Sequence, residues 1–496
     1  MQDIRSKMAR GAVWMVGFKL FDRSIGFVST LILARLLTPD NFGVVAMATS
    51  FTSVLEMIGA FGFDMALIQR KDATRAHYDT AWTFSVLFGT VLALLMVALA
   101  APMAHFYKQP GLVAVIATLA TGSFLQGFQN VGVIAFRKEM EFGKEFRFLA
   151  TKRLVTFPLT ITLAFVLHNY WALVIGMTTS RAVDLILSYR FHPYRPKFSL
   201  AAAGDLLHFS KWLLLLNFLQ FLRDRSSDFV LGRFAGPGAL GLFSVSYELA
   251  NMPGTELVAP INRAVYPAYV KIVHDLEAMQ REYLSVMSMI CLLAIPAVSG
   301  VAATASIVVP LVLGGKWLAA VPILQILAFF GISQVMQSNA YALFLALGRG
   351  DIFARINGAY VVLLIAALLS FVPHFGAKGG AYSYLAAALI TLPLGIGVIL
   401  HQLRLSVLRF AKEVWRPLCA SGLMFALVQA FSHTPSSDLG SARLMARMGI
   451  AAGLGIASYV AFIAALWWLS GRPASSAETI VLNRVHERLI AFRKRA

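Results

Sequence analysis

One eleven-residue segment of this chain occurs twice. Residues 33–43 read LARLLTPDNFG, and residues 231–241, which lie 198 positions later, read LGRFAGPGALG. In each copy a long apolar stretch ends at an Arg, turns at a Pro and restarts at a Gly. The positions shared in register are the pairs Leu33/Leu231, Arg35/Arg233, Pro39/Pro237 and Gly43/Gly241. The repeat predicts that the chain is built from two related halves.

The composition places both halves in a membrane. Hydrophobic residues make up 58% of the chain, charged residues make up 14%, and the mean hydropathy is +0.72. A soluble protein carries roughly 25% charged residues. Two related membrane lobes are typical of secondary transporters. The two cysteines, Cys291 and Cys419, lie in apolar stretches and predict neither a disulfide framework nor a zinc site.

Apolar stretches of about 20 residues, the length that crosses a bilayer, recur along the chain. Breaks at Pro, Gly and charge clusters divide them into fourteen candidates. The candidate spans are 9–37, 41–67, 79–105, 112–135, 147–167, 170–191, 207–234, 238–263, 283–313, 318–346, 353–373, 378–402, 414–432 and 447–470. The sequence therefore predicts an all-α integral membrane protein with about 14 transmembrane helices.

Basic residues orient these spans, because Lys and Arg accumulate in cytoplasmic connections. They occur in every second connection, as Arg70, Lys71 and Arg75, then Arg137, Lys138 and Lys144, then Arg195 and Lys197, then Lys271 and Arg281, then Arg349, and finally Arg404, Arg409 and Lys412. Both termini are therefore expected in the cytoplasm. The net charge of +19 is attributed to this asymmetry and not to nucleic acid binding. Residues 471–496 predict a basic amphipathic cytoplasmic tail on anionic lipid, with a solvated tail as the alternative.

Charges within the first eight spans predict a polar interior, since a charge at the bilayer centre costs roughly 2.5–3.5 kcal/mol on insertion scales. Arg groups match phosphate oxygens, which favours an anionic ligand. The cations expected to bind it are Arg23, Lys19, Arg181, Arg223 and Arg225. The acids expected to have coupling or structural roles are Asp22, Glu56, Asp224, Asp228 and Glu248. Structural ion pairs, such as Lys19 with Glu56 or Arg225 with Asp228, are the alternative.

Amide side chains repeat on spans 4 and 10, which are equivalent if spans 1–6 repeat as 7–12. An amide offers both a donor and an acceptor, which suits sugar hydroxyls. The candidate sugar-binding residues are Gln126, Gln129, Asn130, Gln334, Gln337 and Asn339. Hydrogen bonds between helices are the alternative role. The segment Gly314-Gly315-Lys316-Trp317 lacks the spacing of a phosphate-binding P-loop, so no nucleotide or other cofactor is expected.

With these residues the chain resembles the Wzx-type polysaccharide transporters (oligosaccharide flippases) of the multidrug/oligosaccharidyl-lipid/polysaccharide superfamily. The colanic-acid and succinoglycan exporters are the most similar type. The resemblance covers about residues 8–405 and is carried by residues 33–43, 62–72 (GFDMALIQRKD), 231–241, 313–317 (LGGKW) and 345–351 (LALGRGD).

The resemblance implies two pseudo-symmetric six-helix lobes in a V, with a central cavity that opens alternately to each side. The corresponding division is an N-lobe (1–197), a cytoplasmic linker (198–206), a C-lobe (207–405), spans 13 and 14 (406–470) and the tail (471–496). Arg23, beside Asp22, best matches the diphosphate-binding Arg residues of relatives that flip cell-wall precursors. Arg223-Asp224-Arg225 departs from the less charged stretch expected there.

The implied cargo is a polyprenyl-diphosphate-linked oligosaccharide, moved from the cytoplasmic to the periplasmic leaflet of a bacterial inner membrane for exopolysaccharide or lipopolysaccharide synthesis. Membrane lipid, and a polymerase and chain-length proteins of the same pathway, are the implied partners. A multidrug antiporter of the same superfamily is the main alternative, with Asp22, Glu56, Asp64 and Glu248 as its acids. A membrane glycosyltransferase is disfavoured because no long extracytoplasmic loop is present. In neither transporter interpretation is the chain an enzyme.

Overall fold

The computed structural model describes residues 2–58, 67–68, 70, 72–206, 211–432, 441–473, 476–480, 482–483 and 487. Its regular secondary structure is entirely helical in these residues, which confirms the all-α prediction. The helices are α1 (Gln2–Leu36), α2 (Pro39–Ile58), α3 (Arg75–Tyr107), α4 (Leu112–Gly127), α5 (Ala135–Lys138), α6 (Phe142–Leu167), α7 (Trp171–Phe191), α8 (Ala203–Leu206), α9 (Lys211–Phe234), α10 (Gly236–Lys271), α11 (Leu276–Val312), α12 (Ala320–Gln337), α13 (Ala340–Ala346), α14 (Gly350–Gln402), α15 (Val407–Ser432) and α16 (Ser441–Leu469).

Length and composition identify the membrane helices among the described residues. Eight helices are long and apolar enough to cross a bilayer, and a bent pair would make nine. The charge-bearing helices α1, α2, α9 and α10 do not pass the same apolarity test. A multi-pass membrane protein is therefore established, whereas the count of fourteen spans stays a prediction. Most of the 62–72 motif and of the basic tail lies outside the described residues.

Two predicted spans are interrupted at equivalent places. After α4 the chain bends by 69° into a 3-10 turn at Val131–Ile134 and α5. After α12 it breaks before α13. Asn130 and Asn339 precede the second element in each case, and both are fully buried. The correspondence of spans 4 and 10 thus extends to a broken helix with a buried Asn at the break.

The predicted spans 353–373 and 378–402 form the single run α14, which is interrupted at Gly376. This residue has φ 56° and ψ −130°, a conformation that only glycine adopts without strain. The backbone there leaves the helical path, so the two predicted spans stay distinct on either side of the kink.

The chain divides into two compact units, residues 1–241 and 242–496. In the first, α3 packs on α4, α6 on α7, α4 on α7, α1 on α6, and α9 on α2. In the second, α11 is the central helix and contacts α12, α15 and α16. The division follows packing, and α9 joins the first unit because it lies against α2. The lobes at 1–197 and 207–405 stay a prediction.

The two copies of the repeat lie against each other within the first unit. A Cβ atom on Gly43 would overlap the carbonyl oxygen of Pro237, and one on Gly241 would overlap the carbonyl oxygen of Pro39. A Cβ on Gly241 would also lie 3.0 Å from the backbone nitrogen of Gly43. Each Gly therefore admits the Pro turn of the other copy. We call residues 39–43 and 237–241 the clasp.

The tail begins with a buried attachment that the amphipathic pattern did not predict. Glu478 accepts two hydrogen bonds from Arg416 of α15, at 2.9 and 3.3 Å, and both side chains are buried. Trp467 of α16 donates to Thr479 at 3.1 Å. Ser476 accepts a hydrogen bond from the Thr479 backbone N–H at 3.4 Å. This part of the tail is thus fixed to the second unit and is not a solvated segment.

The clasp predicts a selective cost for added side-chain volume. Gly43→Ala and Gly241→Ala should each destabilise the protein by about 1–3 kcal/mol, because the new methyl meets backbone that cannot rotate away. Gly17→Ala is the control, since nothing lies within 4 Å of its Cβ position. Thermal unfolding of the detergent-solubilised protein measures the three. Equal melting temperatures for Gly43→Ala and Gly17→Ala would contradict the close contact.

Candidate substrate cavity

A cavity of about 500 Å³ lies in the first unit. Its walls come from α3, α4, α6 and α7, from the bend after α4, and from Glu56 of α2. The α4 bend turns the chain across the cavity and places the polar end of the predicted span 4 at its wall. The cavity thus combines polar groups with the apolar faces of membrane helices.

Two of the predicted amides, Gln126 and Gln129, line this cavity. Their spacing of three residues, the last turn of α4 and the bend bring both to the same wall. Ser85 and Ser123 add hydroxyl groups, and Phe88 adds an aromatic ring. Amide, hydroxyl and aromatic groups are the side chains that can bind a sugar, through hydrogen bonds and apolar contact.

Asn130 also borders the cavity, but its amide is used within the protein. Its side chain donates to the Tyr194 carbonyl at 2.7 Å and accepts from the Gly132 N–H at 2.9 Å. Its backbone N–H donates to Ser188 at 3.0 Å. These bonds fix the bend after α4. Asn130 therefore shapes the wall that presents its two Gln neighbours.

Two ion pairs lie at the cavity wall. Lys152 of α6 and Asp184 of α7 are 2.6 Å apart, and the side chains are 28% and 12% exposed. Arg137 of α5 pairs with Glu145, which is almost fully buried. The two carboxylates are buried while their cations are partly exposed, so removing either cation would leave a buried charge unpaired, which is costly. Both pairs therefore hold the α5–α6–α7 wall.

Glu56 is the residue of α2 that lines this cavity. Its carboxylate lies 3.6 Å from Arg181 of α7. The sequence also allows a pair between Glu56 and Lys19, but in the structure Glu56 lies beside Arg181 instead. Among the predicted phosphate-binding cations, Arg181 thus adjoins the cavity wall through Glu56.

The charges of α1 lie apart from this wall. Lys19 and Arg23 are exposed, and neither lines the cavity. Asp22 lies 3.1 Å from Arg153 of α6, so the acid beside Arg23 is used in a contact between helices. The α1 cations share a helix face, since their spacing is four residues.

The charges of α9 form a separate group beside α2. Asp228 is buried, accepts from Ser50 of α2 at 2.6 Å and lies 3.2 Å from Arg225. The ion pair considered for Arg225 and Asp228 is therefore present. Asp224 accepts from Gln220 at 2.8 Å. Arg223 is half-buried on the same helix.

The remaining predicted residues belong to the second unit. Asn339 is fully buried and donates to Tyr269 at 2.6 Å, which ties α10 to the break before α13. Gln334 and Gln337 are half-buried on α12. A Cβ on Gly395 of α14 would lie 3.2 Å from the side-chain amide oxygen (Oε1) of Gln337. Glu248 is exposed. These residues are not part of the cavity of the first unit.

Four charged residues that line the cavity are not among the predicted site residues, namely Arg137, Glu145, Lys152 and Asp184. A signal for two of them existed. Lys152 lies about one turn inside predicted span 5 and Asp184 lies in the interior of span 6, so opposite charges occupy neighbouring spans. The pairing itself depends on how α6 rotates against α7, which neither segment encodes alone.

Comparisons with characterised proteins extend along most of the chain. Lipopolysaccharide biosynthesis protein WzxC of Escherichia coli (strain K12) is 26% identical over 84% of this chain and 86% of its own length. Teichuronic acid biosynthesis protein TuaB of Bacillus subtilis (strain 168) is 23% identical over 93% and 96%. Succinoglycan biosynthesis transport protein ExoT of Rhizobium meliloti (strain 1021) is 25% identical over 65% of each chain.

Solved structures show the same fold. The lipid II flippase MurJ in an inward closed conformation superposes with a TM-score of 0.69 at 12% identity, over 92% of this chain and 99% of that one. An inward-facing multidrug resistance transporter of the MATE family gives a TM-score of 0.57 at 16% identity, over 77% and 95%. At these identities the similarity establishes the architecture and not the cargo.

The family is shown by a match that covers more than half of the chain. A family model described as polysaccharide biosynthesis protein matches residues 32–322. This range begins at the first copy of the repeat and includes the cavity residues, the second copy and the segment 313–317 that carried the resemblance. The chain is a member of this polysaccharide biosynthesis protein family.

Proposed function

We propose that this protein is a flippase for a lipid-linked oligosaccharide, and that it moves the cargo from the cytoplasmic to the extracytoplasmic leaflet of a bacterial inner membrane. The observation that carries the proposal is the cavity lined by Gln126, Gln129 and serine hydroxyls within membrane helices. Membership of the polysaccharide biosynthesis family, the succinoglycan transport relative and the flippase architecture support it.

The cavity chemistry suits the sugar part of such a cargo. A volume of about 500 Å³ lies in the usual range of small-ligand sites. Its neutral donors and acceptors match hydroxyl groups, and the ion pairs at the wall keep its charges balanced. Gln334 and Gln337 of the second unit are proposed to serve the same cargo, by their equivalence to the first pair.

The diphosphate of the cargo is assigned to the cationic residues outside this sugar cavity. Arg23 and Lys19 share an exposed face of α1, and Arg181 adjoins the cavity wall. Arg223 and Arg225 of α9 are proposed as helpers. An Arg fork can hold two phosphate oxygens at once, which a Lys ammonium cannot.

The charge pattern argues against the antiporter alternative. An organic cation requires an acidic site, yet two of the four acids considered for it, Asp22 and Glu56, lie 3.1 and 3.6 Å from an Arg. These carboxylates are already neutralised by their partners. Glu248 is exposed on α10 and does not line the cavity. Asp64 lies outside the described residues.

The clasp is proposed as the extracytoplasmic closure of the transport cycle. The turns before Pro39 and Pro237 lie in connections poor in basic residues, which the charge rule places outside the cytoplasm. Separation of the two copies would open a path between the α1–α2 and α9–α10 turns. The same orientation assigns both termini to the cytoplasm. Any polymerase or chain-length partners would receive the cargo on the opposite side of the membrane.

Deletion of the gene tests the cargo class. Loss of the flippase should abolish the polymer and leave lipid-linked repeat units accessible only from the cytoplasmic side, because the preceding synthesis continues. Extraction and labelling of the lipid-linked oligosaccharides measures both effects. Drug hypersensitivity with normal polymer export would instead support the antiporter.

Substitution of the cavity amides tests the sugar assignment. Gln126→Ala and Gln129→Ala should change the relative export of two different lipid-linked oligosaccharides by about tenfold, the equivalent of one hydrogen bond of about 1.4 kcal/mol. The control is Gln325→Ala, whose amide donates to the Ala302 carbonyl of its own unit at 3.4 Å. An equal loss for both oligosaccharides would show that the cavity amides only pack helices.

A reversible cross-link tests the clasp. The Cγ of Asp40, where the sulfur of a Cys would lie, is 3.4 Å from the Cβ position of Gly238, so the side chains of two Cys residues here would be within reach of each other. With Cys291 and Cys419 replaced by Ala, Asp40→Cys combined with Gly238→Cys should cross-link on oxidation and stop export until a reductant is added. Each single Cys variant is the control. Full export by the cross-linked protein would refute the clasp as a moving closure.

A further inference from the structure

A second cavity, of about 370 Å³, lies in the first unit at the N-terminal end of α3. It is formed where three segments meet, namely the start of α3, the end of α5 and the chain after α7. The polar residues that line it are Arg75, Tyr78, Lys138, Glu139, His192 and Tyr194. None of them borders the substrate cavity.

The chain after α7 is bound along α3 as a strap, which we define as residues 192–202. The Lys197 N–H donates to Asp79 at 2.9 Å, the Ser199 N–H to Thr83 at 3.0 Å, and the Ala202 N–H to Thr80 at 3.2 Å. An extended segment is thus held by side chains of successive turns of α3. His192 and Tyr194, at the start of the strap, face the second cavity.

The donors around this cavity suit a phosphate group. Arg75 and Lys138 bring two positive charges from different elements, against the single exposed carboxylate of Glu139. The His192 Nδ1 accepts from the Tyr194 N–H at 3.2 Å, so Nε2 carries the proton of the neutral ring. Burial lowers the pKa of His192, which keeps this neutral, donating form at pH 7.

The carboxylate of Asp79, beside Arg75, already has partners within the protein. Asp79 accepts from the Tyr194 hydroxyl and from the strap, and lies 3.8 Å from Arg75. One nitrogen of Arg75 donates to the Arg195 carbonyl at 3.2 Å. A guanidinium has five N–H donors, so this contact positions Arg75 and leaves it able to bind an anion.

Exposed apolar side chains place the strap at the membrane surface. Phe198 is 68% exposed and Leu200 is 58% exposed, although both follow the basic Arg195 and Lys197. Phe198 packs on Trp82 of α3, with ring centroids 4.8 Å apart. Apolar side chains and Trp beside Lys and Arg are typical of the interface between lipid tails and headgroups.

We infer that the second cavity binds the phosphate of an anionic phospholipid headgroup, and that the lipid joins α3, α5 and the strap. Arg75 and Lys138 are its charge contacts, His192 and Tyr78 are its hydrogen-bond donors, and Phe198 and Leu200 lie beside the lipid tails. This inference uses only the second cavity and the strap, so it is independent of the cargo proposed above.

Lipid retention tests the inference. The full chain is reconstituted in phosphatidylcholine vesicles containing phosphatidylglycerol, and the phosphatidylglycerol that stays bound is counted by native mass spectrometry. A basic residue that contacts an anionic headgroup contributes about fivefold to its binding, so Arg75→Gln combined with Lys138→Gln should weaken retention by about 30-fold. The matched control, Arg281→Gln combined with Arg409→Gln, removes two exposed charges elsewhere and should retain the lipid.

Two further measurements keep the test decisive. Because Arg75 also holds the strap, Lys138→Gln is measured alone and should show about a fivefold loss. Phosphatidylglycerol should raise the melting temperature of the wild type but not of the double variant. Equal retention by all variants, or an equal loss in the control, would overturn the inference. Displacement of the lipid by inorganic phosphate would also overturn it, and would assign the cavity to a soluble anion.

Discussion

The reciprocal contact of Gly43 with Pro237 and of Gly241 with Pro39 is the constraint on which the first unit depends. A proline turn can approach another backbone this closely only where a Cβ is absent. Each copy of the repeat supplies both the turn and the glycine, so the contact is self-complementary. The Pro and the Gly that the copies share are thus explained by this contact, which also brings α9 beside α2.

Polar contacts deeper in the first unit are organised by the same arrangement. Ser50 of α2 meets the buried Asp228 of α9, while Glu56, further along α2, meets Arg181 at the wall of the larger cavity. Unpaired charges are costly within a membrane, so pairing lets these helices remain inserted while they carry ionisable groups. We propose that the neutral amides and hydroxyls left at these balanced walls contact the cargo, and that the cationic face of α1 contacts its phosphates.

The sequence predicted the residues whose placement follows from local spacing. Gln126 and Gln129 are three positions apart and reach one wall, and the pair Arg225 and Asp228 is likewise local. Contacts between helices were not predicted. Glu56 pairs with Arg181 instead of Lys19, and Lys152 pairs with Asp184, because the rotation of each helix about its axis decides which charges meet. Asn130 and Asn339 carry amide groups of the kind that can bind sugar. Both are buried at helix breaks, however, and their amides form hydrogen bonds within the protein.

The sequence by itself determined the all-helical membrane class, the internal repeat and the family. The reason is that the length of apolar segments, the alternation of basic connections and the repeated motifs are each visible within short stretches of consecutive residues. Tertiary structure decided where the cavities lie, which ion pairs form, and that the two copies of the repeat contact each other. It also fixed the start of the tail through Arg416 and Glu478, which are 62 positions apart. The physical reason is that these features join residues distant in sequence, whose meeting depends on helix packing and on bends such as the one after α4.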